Sequence, residues 1–400
     1  MGNFCSYRRK TVRFLSGYFG KRTADEAKKN FLWGGVSLIV LGILLLIPTG
    51  FEGALQFQDA VKCKVAVLDC DNSSLIDTGI IRTGQQICKI KFLSGKFKGQ
   101  ENQGWNMLSG SLSQDKIFRP GDKVQAVVHH DGEKIISVNL IDYFRLEGEL
   151  ILAMAFALFL VIFARGIGLR SVFSFFLTIL ILWKILVPLF LKGYNPILFG
   201  LIALATMTFL ILALVYGFDR RLLVSFCGSM SGILFAMLLS IICSKAFHIH
   251  GAVMHNSEAL LYSGFQDLNL TWIFMASVCV GASGSVMDLS VDITSAVHEV
   301  VANAPEISRS RAIKSGMNVA RAAMGTMTTT LLLAYSGTCL AMLMTFMAQG
   351  TPVYNILNNN VVASEIINTI AGSFGLAMTA PLTALIAGSL FTKKADFTKA

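Results

Sequence analysis

Residues 281–299 read GASGSVMDLSVDITSAVHE and set two carboxylates, Asp288 and Asp292, into an otherwise membrane-length apolar segment. That segment begins near Trp272, an aromatic of the kind that anchors helices at a membrane interface. At about 1.5 Å of helix per residue, Asp288 lies roughly 24 Å further along. A hydrocarbon layer is about 30 Å thick, so the carboxylate falls inside it or at its edge. Ionisable groups at that depth cost free energy and mark ion, proton or substrate paths.

Composition agrees with a chain built around such segments. Of 400 residues, 54% are apolar and only 14% charged, against about 25% charged in an average soluble chain. The apolar residues collect in long runs, which makes this an α-helical polytopic membrane protein of about eight spans. A first span is expected at 31–51, after a basic segment at 1–30 that carries Arg8, Arg9, Lys10, Arg13, Lys21, Arg22, Lys28 and Lys29. The lead is long for a secretory signal and no A-x-A site follows, so the span reads as an uncleaved anchor. Four spans are expected within 147–247: Glu147–Ala164, Arg170–Leu191, Pro196–Gly217 and Leu222–Phe247. Three more fall within 271–391, at Leu270–Leu289, Val319–Ala348 and Val361–Phe391, the last two long enough to tilt or break.

Lys and Arg give the orientation. The basic N-terminus, Arg165 and Arg170, Arg220 and Arg221, Arg309, Arg311 and Lys314, and Lys393, Lys394 and Lys399 in the tail at 392–400 all fall on one side of an eight-span arrangement. The opposite short loops hold only Lys192. By the positive-inside rule both termini are then cytoplasmic. No aromatic-basic module accompanies the basic lead, so nucleic acid is not an expected partner; the lipid bilayer is.

Residues 53–146 fall outside. Their alternating runs, Val61–Leu68, Gln86–Phe92, Lys123–His129 and Lys134–Leu140, read as strands. Arg119-Pro120-Gly121-Asp122 is a turn signal and Asp131-Gly132-Glu133 suits a hairpin. A small extracytoplasmic β-barrel of OB-like type fits, and a sandwich fits nearly as well. Among its cysteines, a Cys63–Cys70 bridge is one possibility. The loop at 248–270 is amphipathic and outside; its His248, His250, His255 and Glu258 are irregularly spaced for a metal set.

Residues 277–388 are rich in Gly, Ala, Ser and Thr, which lets helices approach closely. Asp288 and Asp292 share a helix face, continued by Ser295 and Glu299, with Arg321 at similar depth on the next span as a candidate partner. The plainer alternative is a structural ion pair at the inner headgroups. Asn318, Arg321, Gly325 and Thr328 or Thr329 share one face of the seventh span. Gly372, Gly375, Thr379 and Thr383 do so in the eighth, where Pro381 frees a carbonyl. Asp288, Asp292, Arg321, Asn318, Thr328, Thr329, Thr379 and Pro381 are expected as path residues, with Gly281, Gly284, Gly325, Gly372 and Gly375 in helix packing. No internal repeat of the inverted-transporter kind is visible.

Catalytic patterns fail on inspection. Gly281-Ala282-Ser283-Gly284 has the GxSG form, yet no histidine lies in the seventh or eighth span to act as base. His298-Glu299 begins a zinc motif, but Ala302 stands where the second ligand belongs. Neither an enzyme, nor a cofactor, nor a metal is expected.

Several of these motifs carry a resemblance. Phe97-Lys98-Gly99-Gln100, Gly121-Asp122 and Asp142-Tyr143-Phe144-Arg145 lie outside the spans. GASGSVMDLSVDITSAVHEV from Gly281, SGMNVARAAMGTMTTTLLLAYSG from Ser315 and GSFGLAMTAPLT from Gly372 lie within them. Together, in order over about 35–390, they resemble the YibE/F-like family of bacterial multi-span membrane proteins. The resemblance implies a bacterial plasma-membrane protein with an extracytoplasmic β domain and implies no activity. The functional expectation therefore rests on the residues: a transporter or channel-like permease for an ion or small polar solute, proton- or cation-coupled through Asp288. The alternative is a membrane scaffold whose β domain recruits an envelope or export partner. A homo-oligomer or a paralogous membrane partner fits either one.

Overall fold

A computed structural model describes residues 35, 40–51 and 60–392, apart from the side chain of Arg165. The expected basic lead, most of the first span, residues 53–59 and the tail lysines Lys393, Lys394 and Lys399 lie outside the described residues. The chain divides into two units, Gly50–Ile162 and a second made of Met1–Thr49 with Phe163–Ala400.

The first unit holds six strands: β1 (Ala60–Asp71), β2 (Leu75–Asp77), β3 (Arg82–Phe92), β4 (Glu101–Ser109), β5 (Lys123–Asp131) and β6 (Lys134–Tyr143). Neighbours run β1-β5-β6-β4-β3, and β3 pairs back onto β1, so five strands close into a barrel with β2 hanging on β3. All pairings are antiparallel except β4 with β6. Turn chemistry explains two connections. Asp122 N–H donates to Arg119 O across Pro120-Gly121, with Gly121 at φ +94°, a conformation glycine adopts without strain. Asp131 pairs with Lys134, leaving Gly132-Glu133 as a two-residue hairpin loop. Where β4 meets β6, a Cβ on Gly104 would lie 2.9 Å from Leu140 Cδ2, so a larger residue there would have to displace the Leu140 side chain.

β4 escapes sequence inspection because its alternation is inverted. Gly104, Asn106 and Leu108 face inward, while the larger apolar Trp105 and Met107 face out. Asn106 is accommodated by donating to Gln86 Oε1 (3.0 Å) and Lys116 O (2.6 Å). Gln86, wholly buried, in turn donates to Phe118 O and accepts from Phe118 N–H. Around this polar ladder pack Val65, Ile90, Phe92, Phe118 and Val124.

Ten helices follow: α1 (Leu146–Ile181), α2 (Val187–Leu191), α3 (Pro196–Tyr216), α4 (Arg220–Ala246), α5 (Ser257–Tyr262), α6 (Leu270–Asn303), α7 (Arg309–Thr338), α8 (Leu340–Ala348), α9 (Val353–Leu357) and α10 (Asn360–Phe391). Among the described residues six helical stretches are long and apolar enough to cross a membrane, and the bent pair α7–α8 makes a seventh if it counts as one span. These correspond in sequence to the seven spans expected after the first.

Two expectations are corrected. The expected second and third spans meet without an intervening loop: helical pairing runs on through Arg165 and Arg170, the two membrane-length stretches Leu146–Ala164 and Gly166–Leu191 divide at Arg165, and a π-helical turn at Leu182–Leu186 joins α1 to α2. Two isolated glycines, Gly166 and Gly168, cost about 1 kcal/mol each without stopping a helix. The Arg170 guanidinium donates to Leu214 O near the end of α3, where a helix C-terminus favours a cation. Second, α6 continues to Asn303 and α7 starts at Arg309, each well beyond its apolar stretch. The break in the expected long seventh span is real: α7 and α8 meet at a 61° bend.

The heart of the bundle is formed by α4, α6, α7 and α10. Glycines set the spacing. A Cβ on Gly375 would sit 2.7 Å from Ala236 Cβ and 2.9 Å from Gly232 O, so α4 and α10 touch backbone to backbone.

Candidate functional site

Three groups of polar residues stand out in the helical unit, and the expected site residues are distributed among them. The first is a buried hydroxyl knot between α4, α6 and α10. Ser290 Oγ donates to Ser225 O at 2.8 Å, Thr383 Oγ1 reaches Ser290 Oγ at 3.4 Å, and Thr379 Oγ1 donates to Gly375 O at 2.8 Å. Thr379, expected on the path, is wholly buried here, with its hydroxyl bonded within its own helix. Gly372 packs against Ala282 Cβ, and the Tyr335 hydroxyl fills the space over Gly281. Pro381 sits within α10, which remains helical past it.

The second group is an accessible stripe. On α6, Ser277, Gly281, Gly284, Asp288, Asp292, Ser295 and Glu299 recur at steps of three and four and are all exposed in the single chain. That spacing is one helix face. On α7, Asn318, Arg321, Gly325 and Thr329 form a matching exposed stripe. Gly284 and Gly325 have open space where a Cβ would be, so in the single chain neither packs closely, contrary to expectation. Among the described residues no ion pair joins Asp288 or Asp292 to Arg321. The threonines do not open the backbone: Thr328 donates to Met324 O, and Thr329 to Gly325 O at 3.1 Å, within their own helix. Ser295 Oγ and Tyr216 OH bond at 2.8 Å and tie the lower stripe to α3.

The third group joins His255 and Glu258 of the outer loop to residues of α7, α8 and α10 that were not singled out from the sequence. A cavity of about 700 Å³ lies where the 252–259 segment, the α7–α8 bend and the start of α10 meet, lined by His255, Glu258, Thr338, Met342 and Glu365 among others. Glu365 Oε2 accepts from Asn368 Nδ2 at 3.2 Å. Nearby in the same helices, Asn368 Oδ1 and Tyr335 OH are buried with no hydrogen-bond partner. Buried polar atoms are ordinarily paired, so two orphans draw attention. The sequence signal was an acid at Glu365, a few residues inside an apolar span. His250 Nε2 lies 3.3 Å from Asn360 Nδ2, at the same end of the bundle.

No three His, Cys, Asp or Glu side chains converge as a metal set among the described residues. Ser283 Oγ donates to Val280 O at 2.7 Å, a back-bond within its own helix, and His298 packs edge-on against Phe391.

Residues 152–393, well over half the chain, match the family described as YibE/F-like protein. The match takes in the helices and leaves the barrel outside it. No curated protein and no solved structure matches the chain.

Proposed function

This chain belongs to the YibE/F-like family, and we propose that it is a bacterial plasma-membrane permease for an ion or small polar solute, with its termini cytoplasmic and its barrel outside. Support for the orientation comes from the cations. Arg220, Arg221, Arg309, Arg311 and Lys314 flank one set of helix ends, while 248–269 and 349–359 at the other ends carry neither Lys nor Arg.

One observation carries the transport reading: Asp288 and Asp292 are exposed on α6, with no ion pair among the described residues, at the edge of the apolar stretch of a helix long enough to cross a membrane. Carboxylates on such a face are costly against hydrocarbon, so the face meets water, an ion or a partner. Asp288 is the coupling carboxylate, and Arg321 at similar depth on α7 sets the local field. The cavity beside Glu365 serves as the outer mouth, next to the bend that breaks the seventh span, an arrangement typical of membrane sites for polar solutes.

Flux in reconstituted vesicles tests this. Proton and cation uptake by the parent protein is expected to fall at least tenfold in Asp288→Asn, with a smaller fall in Glu365→Gln. Flux indifferent to Asp288→Asn removes the coupling role, and no flux across a broad ion and solute panel removes the permease.

A second reading keeps the barrel as a recruiting module for an envelope partner. We take the barrel as OB type because its five strands close in a Greek-key order with one parallel pair. Trp105 (42% exposed) and Met107 (71%) lie on the outer face of β4, with Trp105 paired to Ile87 of β3. Exposed aromatics of this kind commonly anchor partners. Crosslinking pull-down of the full chain, with Trp105→Ala as control, distinguishes this reading by what is captured and lost.

A further inference from the structure

We infer that Cys70 and Cys88 form a redox-active pair in the barrel that closes to a disulfide when a disulfide donor such as oxidised glutathione or a thiol oxidoreductase is supplied. The two residues sit directly opposite one another in the β1–β3 ladder. Their sulfurs lie 3.1 Å apart. Cross-strand neighbours have Cα atoms roughly 4.5–5.5 Å apart, within the span a disulfide bridges. Forming the bond brings the sulfurs together by about 1 Å.

A bulge makes this possible. Along β1, Cys63, Val65 and Val67 point into the barrel at odd positions. Strict alternation would then turn Cys70 outward. Between Val67 and Asp69 the register with β3 slips, so an extra residue is inserted. The slip reverses the alternation and sets Cys70 beside Cys88, which is wholly buried. Cys63 takes no part: it opposes Ala126 of β5. It stands seven residues from Cys70 on one extended strand, roughly 20 Å away. The Cys63–Cys70 bridge left open by the sequence is therefore excluded.

Exposure sets the order of steps. Cys70 is only partly buried, so its thiolate attacks one sulfur of the donor and releases one thiol. Cys88 then gives up its proton, attacks Cys70 Sγ and releases the second thiol. Two protein thiols are oxidised and one donor disulfide is reduced. Burial pushes both thiols above their ordinary value, Cys88 furthest, and the neighbouring Asp69 and Asp122 add to this. Closure is accordingly slow near neutrality and speeds up as pH rises. The bond would tie β1 to β3 just where β2 and the Gln86–Asn72 hydrogen bond (2.8 Å) attach.

The test uses the full chain in detergent, reduced and then exposed to oxidised glutathione, with thiols alkylated after denaturation and peptides mapped by mass. A linked Cys70–Cys88 peptide and the loss of two alkylatable thiols are expected, faster at higher pH and unchanged in Cys63→Ser. Cys88→Ser should stop at a glutathione adduct on Cys70. If that variant fails to fold, Cys70→Ser serves instead, and Cys88 should then stay free of adduct. Cys70 and Cys88 both remaining alkylatable in excess donor, or a link through Cys63, overturns the pair; an adduct on Cys88 in Cys70→Ser overturns the assigned order of attack.

Discussion

The barrel and the helical bundle differ in how many hydroxyls they bury and in how many large apolar side chains they leave exposed. Inside the barrel lie Phe92, Phe118, Ile90 and Val65, with Gln86 and Asn106 buried among them. The bundle also buries apolar residues, Leu204, Ile233, Leu289 and Leu376 among them. Its interior holds Ser225, Ser229, Ser290, Thr294, Thr379 and Thr383, while Leu198, Leu234, Leu238, Ile242 and Phe374 stand exposed on its surface. Water drives large apolar groups inward. In an apolar surrounding that drive disappears, and close contact among small residues with hydroxyl hydrogen bonds takes over. Exposed apolar helix surfaces over buried hydroxyls are the pattern expected of helices packed in an apolar surrounding. Against that background the Asp288–Asp292 face is an exception: a polar stripe on a surface otherwise built for oil.

The contrast can be broken most severely at the backbone contacts. Gly375→Val pushes a branched side chain into Ala236 and the Gly232 carbonyl and should cost about 3 kcal/mol or more. Gly284→Val, in open space, should cost less than about 1 kcal/mol. Thermal unfolding in detergent compares them, and equal midpoints would mean that glycine contacts do not set helix spacing. A smaller effect is expected in the barrel. Gln86→Ala strands the buried Phe118 N–H and removes a partner of Asn106, at a cost of about 2 kcal/mol in the denaturant midpoint. Unchanged stability would show that the ladder is not needed.

Acid gives the smallest effect. Burial by itself would raise Asp142, but hydrogen bonds from Lys116, Arg145 and the Tyr143 N–H outweigh it and hold the carboxyl below its ordinary value. A lowered carboxyl contributes stability above the ordinary carboxylate range and loses it as pH falls through the folded value. The barrel should therefore hold its stability from pH 7 to about 5 and lose some below about 4. Asp142→Asn should flatten that slope by under about 1 kcal/mol, since the pair with Lys116 is partly exposed. An acid slope identical in the variant would sever Asp142 from the effect.

Much of the architecture was legible because it follows from local chemistry. Hydropathy runs located the apolar helices, Pro120-Gly121 and Gly132 located two turns, and alternation located β1, β3, β5 and β6. β4 was hidden because its inward residues are Gly104 and Asn106 rather than large apolar ones. The helix through Arg165 and Arg170 was hidden because cations at that spacing look like a loop until a carbonyl, here Leu214 O, receives one of them. For the site, Asp288 and Asp292 were visible as misplaced charge, and their shared face with Ser295 followed from helical period. Glu365 with its orphan neighbours Tyr335 and Asn368 was not, since their grouping joins α7 and α10 across the bend.

The sequence by itself determined where the apolar helices and four of the strands lie, where cations cluster and which helix carries stranded carboxylates, because period, hydropathy and turn residues act over a few positions. Only the tertiary structure decided that Thr379 is packed while Asp288 is open, that Gly375 touches a backbone while Gly284 touches nothing, and that one inserted residue in β1 sets Cys70 against Cys88. Those outcomes depend on which face of an element meets a neighbour distant in the chain, and no local pattern carries that information.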